Sequence, residues 1–471
     1  MAPQILVRGG HVLTMDPDLG DLPVADVLMT DGRIAAVGAD LDVDEAEVVD
    51  ATGAIVLPGL VDGHRHVWQS ILRGTATDWT LPEYMVQARS MYCGCFDAEA
   101  AYVSNYLGGL ESLAAGITTV VDHSHLQKSP EITDALARGL IDSGVGGIFC
   151  YAMQNVPDFV GDATIDTDEL RDLLLRSPDD WHDGNAQRVR DKFFSDPDQR
   201  LRFGVALPES AAYLPLAVLR PLLARTIALN PFLVTGHWDG GGQEPVISEL
   251  SDQGGWPERT SLTHCNHVGD DDLGSLARAG VGICTTPDIE CGMGTGPLVA
   301  RRYLDRGGAA SLGTDLSSYA RADILQQGRL LLQVERMVLA DASEGLPTLV
   351  GWRCRDVLEL MTKRAAESLG LGSEIGSLTV GKRGDVVVVR PDPLAAAPDG
   401  DAAATVLFYS SPREVETVIV GGDVVKRNGA LVGADLGGLR QRAAQAAEQV
   451  ITRYDKLPRQ GLQQVWAGMF G

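Results

Sequence analysis

Basic side chains are scarce in this chain of 471 residues: 39 lysines and arginines face 64 aspartates and glutamates, a formal charge of -25. No basic run offsets that field, which argues against a nucleic-acid partner. Long apolar runs are missing as well. No stretch approaches the roughly 20 residues needed to cross a bilayer, and the start, Met1 to Arg8, lacks the basic region and long apolar core of a secretory signal. The seven cysteines are odd in number and scattered, with only Cys93-Gly94-Cys95 close together. That pattern predicts reduced thiols in a cytoplasmic protein rather than a disulfide framework. Cys284 and Cys291 match no common zinc spacing. Nearly half of the residues are apolar and no segment is low in complexity, so the chain is folded and long enough for a large domain with appendages.

What the sequence does have is histidine in unusual places. Seven of its nine histidines fall in or beside Gly63-His64-Arg65-His66, His123-Ser124-His125, Gly236-His237, Thr263-His264 and Gly313-Thr314-Asp315, each at the end of an apolar run. On an extended backbone His64 and His66 point to the same side. A pair of imidazoles followed by single histidines and an aspartate at later strand ends is the pattern of a metal site at the mouth of a parallel barrel. His-x-His alone would fit two surface histidines equally well.

Runs that read as strands alternate with helical patterns from about Pro58 to Gly372: Gly59 to Val61, Thr118 to Asp122, Gly147 to Tyr151, Leu201 to Leu207, Phe232 to Gly236, Thr260 to Thr263, Val281 to Thr285 and Ala309 to Gly313. Eight such units predict an α/β fold, a (β/α)8 TIM barrel over 58–372, with an insertion at about 154–199 that is either a lid or a decorated connection. Short strands broken by turns fill both ends, among them Gly376 to Val380. They predict a small composite β-sandwich domain from residues 1–57 and 373–432. The tail, 433–471, keeps helical spacing through Leu436, Leu439, Ala443, Ala447, Val450 and Tyr454. It predicts a helix packed on the barrel or on a second subunit, which leaves a homo-oligomer open.

The run from Leu57 through Pro58-Gly59-Leu60-Val61-Asp62-Gly63 to His66, the run Gly376 to Asp385, and the Thr263-His264-Cys265 and Ser311 to Asp315 segments together resemble the amidohydrolase superfamily. The likeness is to the metal-dependent branch that contains cytosine deaminases and triazine hydrolases, and it spans nearly the whole chain. It implies one divalent ion, most plausibly zinc with iron, manganese and cobalt as alternatives, bound by His64, His66, His237 and Asp315. His264 would touch the attacking water or the substrate. Two-metal members carry a carboxylated lysine on the fourth strand. Leu201 to Glu209 has none, which predicts a mononuclear site. Many deaminases of this branch place a glutamate three residues after the fifth-strand histidine, where this chain has Gly240. Asp239, Glu244 and Glu290 are nearby acids that could substitute.

Asp315 would accept the proton from water and deliver it to the departing nitrogen, with His264 stabilising developing charge. His123, His125, Trp68, Gln69, Arg73 and Glu290 are candidate substrate contacts, Arg73 as a carboxylate clamp. Structural roles for these six are equally compatible with the sequence. The reading is a hydrolase that cleaves a carbon–nitrogen bond, an amide, cyclic amide or amidine-like bond in a small molecule or modified peptide. The alternatives are a deaminase or dechlorinase of a nitrogen heterocycle and a non-catalytic metal-binding barrel.

Overall fold

In the computed structural model, which describes residues 4–160, 170, 172–173, 176–239, 246–395 and 400–457, the middle of the chain forms a closed parallel barrel. Its strands are Leu60–His66, Ile117–Ser124, Gly146–Ala152, Leu201–Ala206, Val234–Trp238, Thr260–His264, Gly282–Thr285 and Ala309–Leu312 with Asp315–Leu316. Every residue of the first three is buried. Such strands read as continuous rather than alternating apolar runs because helices cover one face and the barrel interior fills the other. The eighth strand is broken at Gly313-Thr314. Its first piece pairs with the seventh strand, and Asp315 and Leu316 pair with Arg65 and His66 of the first, so the two pieces complete the ring.

Local chemistry sets the crossover helices. Asp97 caps Ala98–Ala114 by accepting from the Ala100 amide, and Ser129 caps Pro130–Ser143, which ends at Gly144 with φ at 79°. The expected insertion at 154–199 contains the ordinary third crossover helix, Trp181–Phe193, whose Arg188 pairs with Asp134 at 2.7 Å. The extra chain is therefore shorter than the sequence suggested, and residues 161–169, 171 and 174–175 lie outside the described ones. A second cover follows the first strand and carried no sequence signal. It consists of the short helices Val67–Leu72 and Leu81–Tyr84, the π-helix Met85–Met91 and the 3-10 turn Tyr92–Cys95.

Both chain ends build a second, nine-stranded sheet around its own core, which includes Ile5, Val27, Ile34, Val56, Val388 and Ile419. The strands are hydrogen-bonded into one continuous sheet, with Gln4–Leu13 between Asp21–Thr30 on one side and Glu47–Asp50 and Ile55–Pro58 on the other. Ile55–Pro58 leads through Gly59 directly into the first barrel strand, so the two sheets share a continuous backbone. The expected strand Gly376 to Val380 does not form. Gly376 and Gly381 hold φ of 88° and 93° and turn the segment out of extended geometry, leaving single hydrogen bonds such as Leu378 N to Thr14 O at 2.8 Å. Residues 402–409, expected in the β domain, form a helix that packs on the barrel's own Ile324–Asp341 and Cys354–Glu359 helices.

The tail helix Leu436–Asp455 packs on Ala98–Ala114 of its own chain. Tyr454 stacks on Tyr92 with ring centres 3.9 Å apart, and Arg453 binds Asp97 at 2.6 Å. Leu439, Ala446, Val450 and Tyr454 are buried, whereas Leu436 is exposed. The tail beyond Leu457 lies outside the described residues. No described helix is long and apolar enough to cross a membrane.

Candidate metal centre

Three imidazoles converge inside the barrel mouth. His64 Nε2 lies 3.2 Å from His66 Nε2 and 3.1 Å from His237 Nε2. In each ring the other nitrogen is occupied: His66 Nδ1 donates to the His123 carbonyl at 2.9 Å, His237 Nδ1 to Glu209 Oε2 at 2.6 Å, and His64 Nδ1 meets Thr263 Oγ1 at 3.0 Å. Protons held on Nδ1 of His66 and His237 leave their Nε2 lone pairs facing inward, where His64 also presents its Nε2. That arrangement is unfavourable without a cation and is the way histidine ligands are oriented toward one. Burial pushes His64 down to about 3 and lowers His66 as well, which keeps both in the neutral form that binds metal. Gly63 makes the convergence possible, since a Cβ there would sit 2.3 Å from Ser311 Oγ.

Asp315 brings a charge to the same point. Its Oδ1 is 3.2 Å from His66 Nε2 and 3.4 Å from His64 Nε2, yet this buried oxygen makes no regular hydrogen bond. Burial pushes the carboxyl up, but the contacts with His64 and His66 outweigh it and hold it well below the usual range. Asp315 and His264 both adopt left-handed backbone angles, φ 56° and 75°, which cost of order 1 kcal/mol or more per non-glycine residue and tend to cluster at functional sites. The break in the eighth strand is latched by Asp62, which accepts from the Thr314 amide and hydroxyl, with Arg65 Nη1 donating to Thr314 Oγ1 at 2.8 Å. Among the described residues, the donor chemistry fits one divalent ion: three imidazole nitrogens and one carboxylate oxygen without a hydrogen-bond partner.

His264 is 3.9 Å from Asp315 Oδ2. Its Nδ1 lies 3.3 Å from Glu290, and Glu290 also accepts from Thr285 Oγ1 at 2.6 Å and Thr286 N at 3.0 Å. Burial would lower His264, but the hydrogen bond to Glu290 and the charge of Asp315 raise it above the ordinary value. Glu290 is thus a fully engaged support for His264 and not the free substrate contact foreseen from the sequence.

Glu209 is a site residue that the sequence does not single out; it stands just after the fourth strand. Its carboxylate touches His237 at 2.6 Å, His125 Nε2 at 2.9 Å and Arg89 Nε at 3.3 Å. Burial pushes it up, but His237 and His125 bring it well below the carboxylate range. His123, His125, Glu209 and His237 form a second group with potential ligand atoms within 4.8 Å of one another. His125 Nδ1, however, accepts from Trp68 Nε1 at 3.3 Å, so the proton of its neutral ring sits on Nε2. His237 Nδ1 is likewise a donor to Glu209. This second set therefore holds protons where an ion would need lone pairs. His123 stacks on His237 at 4.4 Å with neither nitrogen partnered.

The remaining expected contacts are each engaged within the fold. Trp68 is fully buried behind His125 and against Phe96. Gln69 links Tyr84 OH at 2.7 Å with Ser318 at 2.6 Å. Arg73 is 40% exposed and paired with Glu111 at 2.9 Å, which also takes Arg65. Trp68 is thus held by packing, Gln69 by two buried hydrogen bonds and Arg73 by an acid. Gly240 and Glu244 lie outside the described residues. Asp239 accepts from Tyr213 OH at 3.1 Å.

The pattern that defines the amidohydrolase family matches residues 240–425. A 5-methylthioadenosine/S-adenosylhomocysteine deaminase of Symbiobacterium thermophilum is 28% identical over 458 residues, 95% of this chain and 99% of that protein. A 5'-deoxyadenosine deaminase of Methanosarcina acetivorans is 24% identical over 95% of this chain and 99% of its own length. Among solved structures, a zinc-bound adenosine deaminase from Xanthomonas campestris superposes with a TM-score of 0.78 at 21% identity, covering 96% of this chain and 99% of that one. The zinc complex of an atrazine chlorohydrolase from Arthrobacter aurescens does so at 0.75 and 23%, covering 94% and 100%. Over residues 240–425 the chain is thus similar to the amidohydrolase family, and it shares its fold with both zinc-bound enzymes.

Proposed function

We propose that this protein is a zinc-dependent hydrolase that removes an amino group, as ammonia, from a nitrogen heterocycle of the purine-nucleoside class, with the ion held by His64, His66, His237 and Asp315. The observation that carries the reading is the convergence of three Nε2 atoms, each turned inward by a partner on Nδ1, beside an unpartnered Asp315 oxygen. The choice of bond draws support from the deaminases that resemble the chain over nearly all of its length. The modified peptide that led the sequence reading has no counterpart among these relatives, so the heterocycle alternative takes its place.

A divalent ion in such a site lowers the pKa of water to about 7 and polarises the bond under attack. Asp315 would take a proton from the attacking water and return it to the departing nitrogen, a role worth roughly 10²- to 10⁴-fold. Its Oδ2 lies between Thr286 Oγ1 at 3.4 Å and His264 Nε2 at 3.9 Å. His264, fixed by Glu290, aims a donor at the charge that develops on the substrate. Glu209 holds the His237 ring and keeps its proton on Nδ1.

The test is ammonia release from 5'-deoxyadenosine, 5-methylthioadenosine and S-adenosylhomocysteine by the zinc-loaded protein. Release that Asp315→Asn abolishes is the expected result. A protein with one zinc per chain that frees no ammonia from any of the three overturns the reading.

A further inference from the structure

Arg73 is committed to Glu111, but a different arginine is bonded to the carboxylate that holds His237. Arg89 belongs to the π-helix Met85–Met91 of the cover that follows the first strand, and it is only 5% exposed. π turns give up regular helical hydrogen bonding and collect at functional sites. Arg89 Nε donates to Glu209 Oε1 at 3.3 Å, and the same carboxylate holds His237 and His125. The guanidinium therefore lies one side chain away from the converging imidazoles. Its Nη1 is buried with no hydrogen-bond partner among the described residues. Leaving a charged donor unpaired in a water-poor place destabilises the fold, so a group that brings an acceptor there gains the full hydrogen bond. Glu209 does not meet that need, because its oxygens are already shared with two imidazoles.

We propose that Arg89 is a specificity-determining residue of the hydrolase argued above: its Nη1 donates to a carboxylate on the part of the substrate remote from the bond cleaved, and Glu209 positions it. This rests on the deaminase reading only for the choice of probes. A planar guanidinium can anchor through Nε and still present its remaining N–H groups to a second carboxylate, which an ammonium does less well.

Full-length, zinc-loaded protein is titrated calorimetrically with S-adenosylhomocysteine, which carries a carboxylate, and 5'-deoxyadenosine, which does not, while ammonia is measured separately. The wild type should favour the carboxylate compound. Arg89→Gln should cut the ratio of the two affinities about tenfold, the size of one charge-assisted hydrogen bond, with Arg89→Lys between the two. A melting temperature at or above that of the wild type should accompany Arg89→Gln, since the unpaired donor is gone, whereas a purely structural ion pair would lower it. If that variant does not fold, the ratio is read on Arg89→Lys. An unchanged ratio, or a wild type indifferent to the carboxylate, overturns the proposal. A shifted ratio without ammonia removes the deaminase reading and leaves Arg89 standing; ammonia without a shift does the reverse.

Discussion

The barrel carries two His-x-His pairs at the ends of neighbouring strands, His64/His66 on the first and His123/His125 on the second, and they behave differently. Both rings of the first pair bind a partner through Nδ1 and turn Nε2 toward a shared point. In the second pair His125 accepts a hydrogen bond from Trp68 on Nδ1, which reverses its polarity, and neither ring nitrogen of His123 has a hydrogen-bond partner among the described residues. Identical spacing thus gives two donors to an ion in one case and a supporting layer in the other. The group that meets Nδ1 decides the role, and it comes from a distant part of the chain: Thr263 for His64, Glu209 for His237.

Breaking the first pair should have the largest effect. His66→Ala should bring dialysed protein below about half an ion per chain by elemental analysis and take activity into the background; full occupancy would sink the ligand assignment. An intermediate effect is expected of Glu209→Gln, which keeps the shape but removes the charge facing His237. Metal affinity in a chelator competition should fall roughly 10- to 100-fold, and wild-type affinity would reduce Glu209 to an anchor for the cover.

The smallest effect belongs to the second pair. His123→Phe preserves the stacked ring and discards two unsatisfied nitrogens, so metal content should hold and stability should stay level or rise by about 1 kcal/mol. Burial keeps His123 well below its ordinary value of 6.5. As pH falls from 6.5 toward that lowered value, the unfolded chain takes up a proton that the folded chain refuses, and stability is lost. Urea unfolding of the metal-free protein at pH 7 and pH 5 should therefore differ less in His123→Phe than in the wild type. An equal difference would mean that His123 is not the neutral, buried ring described above.

The eight barrel strands were legible because their burial on both faces favours continuous apolar runs, as in Gly147 to Tyr151. The ligand candidates were legible because each ends such a run. Glu209 obeys the same rule more loosely, standing past Leu207 and Pro208 beyond the Leu201–Ala206 strand, where the sequence does not set it apart from an ordinary loop acid. The π-helix around Arg89 was not legible, since its sequence, Met-Val-Gln-Ala-Arg-Ser-Met, carries no mark that separates it from an ordinary helix. Nor could local sequence show that Arg73 meets Glu111, a contact set by how the following helix packs. Gly376 to Val380 read as a strand by composition, and two positive-φ glycines decided otherwise.

The broken eighth strand has a consequence for how the protein comes into being. Asp315 reaches the histidines only when Asp315 and Leu316 dock against Arg65 and His66, about 250 residues earlier in the chain. During synthesis, a nascent chain that has already made its His64/His66 strand and even His237 offers an ion imidazoles alone, without the neutralising charge. If Asp315 is a ligand as proposed, tight capture would wait for the last strand, and uptake of the ion would mark the moment the ring shuts and discriminate finished barrels from truncated ones.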